Sequence, residues 1–186
     1  MSPAPTIRVF TFKAGFLARV AHNLRLTLER FKLEVTSKRI EGHFDLTSLR
    51  VEGAMAGGQL APGALSADDR RTIERNMAEE ILHLSRWPRA HFRGALAEGS
   101  ATRLRVDGAL ELHGVTADIS CHLELGERLR GKVELRPSRW GIPPYRAMAG
   151  ALKLQDRVEI EIDLPGELEG LDHEAPGDSG FVVERK

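Results

Sequence analysis

Along RVEIEIDL, near the end of the chain, Val158, Ile160, Ile162 and Leu164 alternate with Glu159, Glu161 and Asp163. A period of two marks a strand with one apolar and one wet face. The same alternation recurs upstream. Leu24, Leu26 and Leu28 share one parity, then Phe31, Leu33 and Val35, then Leu104, Val106, Leu110 and Leu112. Ile119, Cys121, Leu123 and Leu125 form a further set, followed by Leu129, Val133 and Leu135. Many short strands separated by glycine and charged turns predict an antiparallel barrel or sandwich.

One segment departs from this period. In LSADDRRTIERNMAEEIL, Ser66 stands as N-cap, Asp69 follows three residues on, and Ile73, Met77 and Ile81 recur at helical spacing. The pattern predicts a single helix around residues 67–82, ending before Pro88, because the residue before a proline is pushed out of the helical region. The stretch HFRGAL then resumes an extended pattern. The last residues, 165–186, are rich in Gly, Pro and acid and predict a flexible acidic tail. The remaining residues, 1–164, suffice for one domain with a sizeable core.

Charge removes some function classes. Lys plus Arg number 27 and Asp plus Glu number 27, so no net field favours nucleic acid, and no basic block supplies a local one. Arg8, Lys13 and Arg19 interrupt the first twenty residues, leaving no apolar run of secretory length. A cytoplasmic protein is expected. The longest uncharged run, Gly53 to Ala67, contains four glycines, Gln59 and Pro62 and predicts a loop, not a membrane span. Cys121 is the single cysteine, so no intramolecular disulfide can form.

Chemical motifs are sparse. GERLRGKV, from Gly126 to Val133, matches a phosphate-loop pattern through Lys132, but Val133 replaces the Ser or Thr that holds magnesium and no helix follows. Cys121 and His122 are strand neighbours and point to opposite faces, so they cannot form a dyad with each other. The seven histidines show no metal-binding spacing, so neither a metal nor a cofactor is expected, and a metal site assembled from distant residues is the alternative left open. His22, in ARVAHNL just before the first clear strand, is a polar candidate for a barrel mouth; the alternative is a histidine satisfying local backbone groups. Carboxylates in the strands share the outward parity, so no acid and base pair stands out and no enzyme is predicted. In LELHGVTADISC, His113 and Gly114 fall where two alternating segments must reverse, which favours a turn over a catalytic role.

Four stretches in order resemble one known family. LRVDGALELHGVTADISCHLEL is similar to the strand, HGVT turn and strand of the YceI-like family, bacterial proteins with a lipocalin-like barrel that bind polyisoprenoid lipids. IEGHFDLTSLRVEG resembles its glycine, Phe and Asp element; NMAEEILHLSRWPRAHFRGAL resembles its helix leading to a proline and a strand; and SRWGIPPYRAMAGALKLQDRVEIEIDL resembles its closing Ser, aromatic, Gly-Ile stretch and final strand. The resemblance runs from about Ile7 to Leu164 and implies a mainly β protein, a single antiparallel lipocalin-like barrel of about eight strands with one helix.

In such a barrel the strand parities place Leu26, Leu28, Leu33, Phe44 and Phe92 inside, with Val106, Leu110 and Leu112. Ile119, Cys121 and Leu123 join them from the next segment, and Val133, Leu135, Val158 and Ile160 complete the lining. The resemblance implies sequestration or transport of a long hydrophobic ligand, a polyisoprenoid or other lipid chain, in this lumen. Two alternatives remain at this point. One is an enzyme acting on a hydrophobic substrate with His22 as acid or base. The other is a filled barrel serving as an interaction module, for which the resemblance implies a homodimer and physics requires a large apolar surface patch.

Overall fold

The alternating segments become antiparallel strands. The computed structural model describes residues 4–14, 23–36, 38–100, 102–150, 152–165 and 180–186. The strands are β1 (Thr6–Lys13), β2 (Asn23–Leu28), β3 (Phe31–Thr36), β4 (Arg39–Asp45), β5 (Leu49–Ala56) and β6 (Gln59–Leu60). After the helix come β7 (Arg89–Ser100), β8 (Arg103–Leu112), β9 (Val115–Glu124), β10 (Arg128–Leu135), β11 (Arg146–Ala147), β12 (Leu152–Pro165) and β13 (Gly180–Arg185). They form one antiparallel sheet in the order β13-β3-β4-β7-β8-β9-β10-β12-β1-β2-β5-β6, with β11 beside β12.

This corrects the expected eight-stranded closed barrel: the sheet has thirteen strands, and its hydrogen-bonded path ends at β13 on one side and β6 on the other. The cause is a break in two long segments. β2 passes into β3 through Glu29 and Arg30, and β4 passes into β5 through a 3-10 turn, Leu46–Ser48. Asp45, Thr47 and Ser48 are residues whose side chains compete with the ladder for backbone partners. Asp45 Oδ1 accepts from Thr47 N at 3.0 Å, and the wholly buried Ser48 accepts from Arg30 N at 2.8 Å and donates to Asp45 O at 2.7 Å. Two backbone bonds, Glu29 N to Ser48 O and Asp45 N to Arg30 O, cross the break. The β2–β5 pair and the β3–β4 pair, near the two ends of the path, are thus joined by chain continuity and this small network in place of a ladder.

The predicted helix forms as α1 (Ala67–Asn76), and Ser66 and Asp69 make the reciprocal capping box their spacing required. It continues as a π-helical turn, Met77–Ile81. The expected tail needs correction at its end: Gly180–Arg185 is a strand paired with β3. Residues 166–179, and His22, lie outside the described residues.

His113 and Gly114 form the two-residue turn between β8 and β9, with φ of 52° and 74°. Positive φ at both positions matches the twist of the flanking strands. Gly114 is also required by contact, since a Cβ there would lie 2.3 Å from the Trp87 ring. Between β10 and β12, the turn Pro137–Trp140 buries Trp140 completely, and its indole Nε1 donates to Leu110 O at 2.9 Å.

Candidate functional site

The sheet curls around an apolar cavity of about 740 Å³. All fifteen residues assigned to an interior by strand parity lie on its wall: Leu26, Leu28, Leu33, Phe44 and Phe92 among them, with Cys121 on β9. Their register explains the convergence. Val106 faces Cys121 across β8 and β9, and Val133 faces Ile160 across β10 and β12, so one parity of each strand points to the same space.

The two ends of the cavity differ. Ile7, Leu28, Leu129 and Leu164 are 4%, 4%, 3% and 1% exposed and close one end with aliphatic side chains. Polar lining gathers at the other end. α1 supplies Asp69, Thr72 and Asn76, and the start of β12 supplies Gln155, Asp156 and Arg157. Thr11, opposite Val158 in the ladder, sits at this end as well. Its buried Oγ1 has no hydrogen-bond partner among the described residues.

α1 and its π turn flank this polar end. Ile73, Met77, Ile81 and Leu82 line the cavity, so the helical stripe faces the ligand-sized space as well as the sheet. The π turn makes this possible by widening the helix: Leu82 N reaches back to Met77 O at 2.9 Å. Glu74 Oε1 accepts from Val51 N at 2.8 Å and fixes the helix against β5. Opposite it, Ile142, Pro143, Pro144 and Tyr145 form a second wall, and the Tyr145 hydroxyl donates to Glu80 Oε2 at 3.3 Å. Burial, then the Glu80 charge, raises the Tyr145 pKa, keeping the phenol as a donor.

Inside, the chemistry is inert. Burial first, and the Asp107 charge second, push the Cys121 thiol up to about 11. A thiol so protonated is a small apolar wall residue and a poor nucleophile. The helix and the Pro143–Tyr145 segment carry no strand period, so from sequence the helix is expected to pack on the barrel or close one end and the double proline to shape its rim, without either being counted in the lining. The helical stripe and the double proline were their only signals.

The YceI-like domain profile matches residues 9–165 of the chain. The chain belongs to this family. Among solved structures the YceI-like fold is shared with BcnA of Burkholderia cenocepacia, at a TM-score of 0.61 and 13% identity over 86% of this chain and 94% of that one. The YceI protein of Campylobacter jejuni aligns at a TM-score of 0.49 and 12% identity, over 72% of this chain and 80% of that one. No curated protein matches in sequence. No helix among the described residues is long and apolar enough to cross a membrane.

Proposed function

We propose that this YceI-like protein binds a long hydrophobic molecule, a polyisoprenoid or similar lipid chain, in the cavity and carries it without chemical change. The observation that supports the reading most directly is a space of about 740 Å³ walled almost entirely by aliphatic and aromatic side chains. That volume lies within the roughly 300–1,000 Å³ common for ligand sites. At about 30 Å³ per water-sized group it houses on the order of 25 carbons. At roughly 0.8 kcal/mol per buried methylene the gross gain approaches about 20 kcal/mol. Association costs of about 4–15 kcal/mol then leave a useful affinity from burial alone.

The wall also needs a guest or solvent. A dry void of this size would cost about 18 kcal/mol at roughly 24 cal/mol per Å³, more than the roughly 5–15 kcal/mol by which domains are stable. Lipid orientation follows from the asymmetric ends: tail toward Leu129 and Leu164, polar head toward Thr11 and α1. The interaction-module alternative is less favoured, since Val115 and Val182 are the exposed large hydrophobics among the described residues and make no broad patch.

The test is native mass spectrometry of the purified protein, followed by organic extraction and identification of what is released. A stoichiometric lipid is the expected result. Failure to hold any lipid as purified, together with failure to take up added polyprenyl and long acyl lipids, would overturn the proposal.

A further inference from the structure

On β4 and β7 the outer face carries a group of side chains that the cavity does not use. The register sets His43 opposite His91 and Glu41 opposite Arg93. Phe44 and Phe92 take the alternate positions and line the cavity, so Glu41, His43, His91 and Arg93 face outward. The two imidazoles stack with centroids 4.4 Å apart and planes inclined by 26°. His91 Nε2 lies 2.9 Å from Glu41 Oε1, and His43 Nε2 lies 3.6 Å from the same oxygen. One donor atom from each of the three residues falls within 4.8 Å of the others.

We propose that Glu41, His43 and His91 form a binding site for one divalent transition-metal ion of the zinc type on the outer wall of the sheet. The donor set selects the ion class. Two imidazole nitrogens with one carboxylate oxygen suit Zn²⁺, Ni²⁺ or Cu²⁺, whereas Ca²⁺ and Mg²⁺ require oxygen ligands. The geometry is close to what such an ion needs. Bonds of about 2.0–2.1 Å in a tetrahedron place neighbouring donor atoms about 3.3–3.4 Å apart. The observed nitrogen-to-oxygen distances of 2.9 and 3.6 Å bracket that spacing; the third edge, between the two imidazoles, lies within 4.8 Å, and rotation of the exposed His43 ring closes it onto an ion. Rigid elements hold it, because all three ligands sit on paired strands and not on a loop.

Two features define its character. With three protein ligands it keeps a fourth position open to solvent, since the His43 side chain is 52% exposed. Arg93 Nε lies 3.4 Å from Glu41 Oε1 and competes with the ion for that oxygen. Its side chain is 74% exposed and can swing into water when an ion arrives. A bound ion would join β4 to β7, and the site stands independently of what the cavity holds.

The experiment is a titration of the metal-stripped full chain with Zn²⁺, read by calorimetry or by competition with a chromophoric chelator. One ion per chain is expected. His43→Ala should weaken binding by at least about tenfold, and His91→Ala likewise. His91 is the more buried of the two, so His43→Ala is the decisive variant if His91→Ala fails to fold. Arg93→Gln should tighten binding by removing the competitor. Absence of Zn²⁺ binding below about 1 mM, equivalent to only about 4 kcal/mol, would overturn the proposal. So would retention of stoichiometry and affinity in His43→Ala, which would leave Glu41 as an ion-pair partner of Arg93 and His91 only.

Discussion

Cys121 is a native reporter of the cavity. It lies on the wall beside Val106 in the register of β8 and β9, and burial pushes its thiol from 9.0 up to about 11. Only thiolate reacts with an alkylating reagent. At pH 8 a thiol at 9.0 is about 9% ionised and one at about 11 is about 0.1% ionised, so labelling should run about 90-fold below the free-thiol rate. The assay is the time course of iodoacetamide incorporation by mass spectrometry, in the folded protein and in denaturant. Filling the cavity with a polyprenyl or long acyl lipid should slow labelling further, because the guest covers the wall. The same shift has a stability sign. The folded thiol holds its proton more tightly than the unfolded one, so its contribution is full below pH 9.0 and is lost as pH rises through about 11. Cys121→Ala should lose less stability than the wild type across that window, by on the order of 2 kcal/mol. Labelling at the free-thiol rate, or labelling indifferent to a lipid that mass spectrometry shows bound, would refute the placement of this thiol.

Three further outcomes test the frame around the cavity. A Cβ at Gly94 would lie 2.5 Å from the Phe92 ring, so Gly94→Ala should drive that ring into the cavity, cost about 1–3 kcal/mol in urea unfolding, and reduce lipid uptake. Ser48→Ala removes the acceptor for Arg30 N and the donor to Asp45 O. The loss should be about 1–3 kcal/mol, with hydrogen exchange accelerated at Arg30 as the site-specific check. Trp140→Phe leaves Leu110 O without the indole donor and should also cost about 1–3 kcal/mol by denaturant titration.

Much of the fold was legible because strand period and strand function coincide. One parity of Val106, Leu110 and Leu112, or of Val158 and Ile160, is both what makes the strand and what walls the cavity. The helix was equally plain, since Ser66 and Asp69 announce its first turn. The breaks at Glu29–Arg30 and Leu46–Ser48 were not read, although Asp45, Thr47 and Ser48 carry the signal in their competing side chains. The last strand escaped because a short segment after a Gly- and Pro-rich stretch shows too little alternation. Glu41, His43 and His91 escaped for another reason: two of them share one strand, but His91 joins them only through the β4 and β7 register, which no linear spacing reveals. Conversely, the phosphate-loop match fails in the structure as its context predicted, for Arg128–Leu135 is a strand and the lysine opens no α-helix.

Alternation alone could not distinguish a hollow interior from a filled one, and the structure shows what separates them. Phe92 is the largest inward residue of β7, yet it does not plug the space, because two inward positions beside it are glycine. A Cβ at Gly94 or at Gly108 would fall 2.5 and 2.6 Å from its Cζ, so the ring lies flat over both glycines, against the sheet. Gly42 stands in the same relation to Phe44, with its Cζ 2.6 Å from a notional Cβ. Each phenylalanine thereby supplies apolar wall area while occupying little of the lumen. Aromatic rings laid over glycines are a known way to protect weak strand positions, and here they also set the bore. An interior built of the same hydrophobic residues with alanine at these positions would force both rings inward. The hollow therefore depends less on how apolar the inward parity is than on where that parity carries no side chain at all.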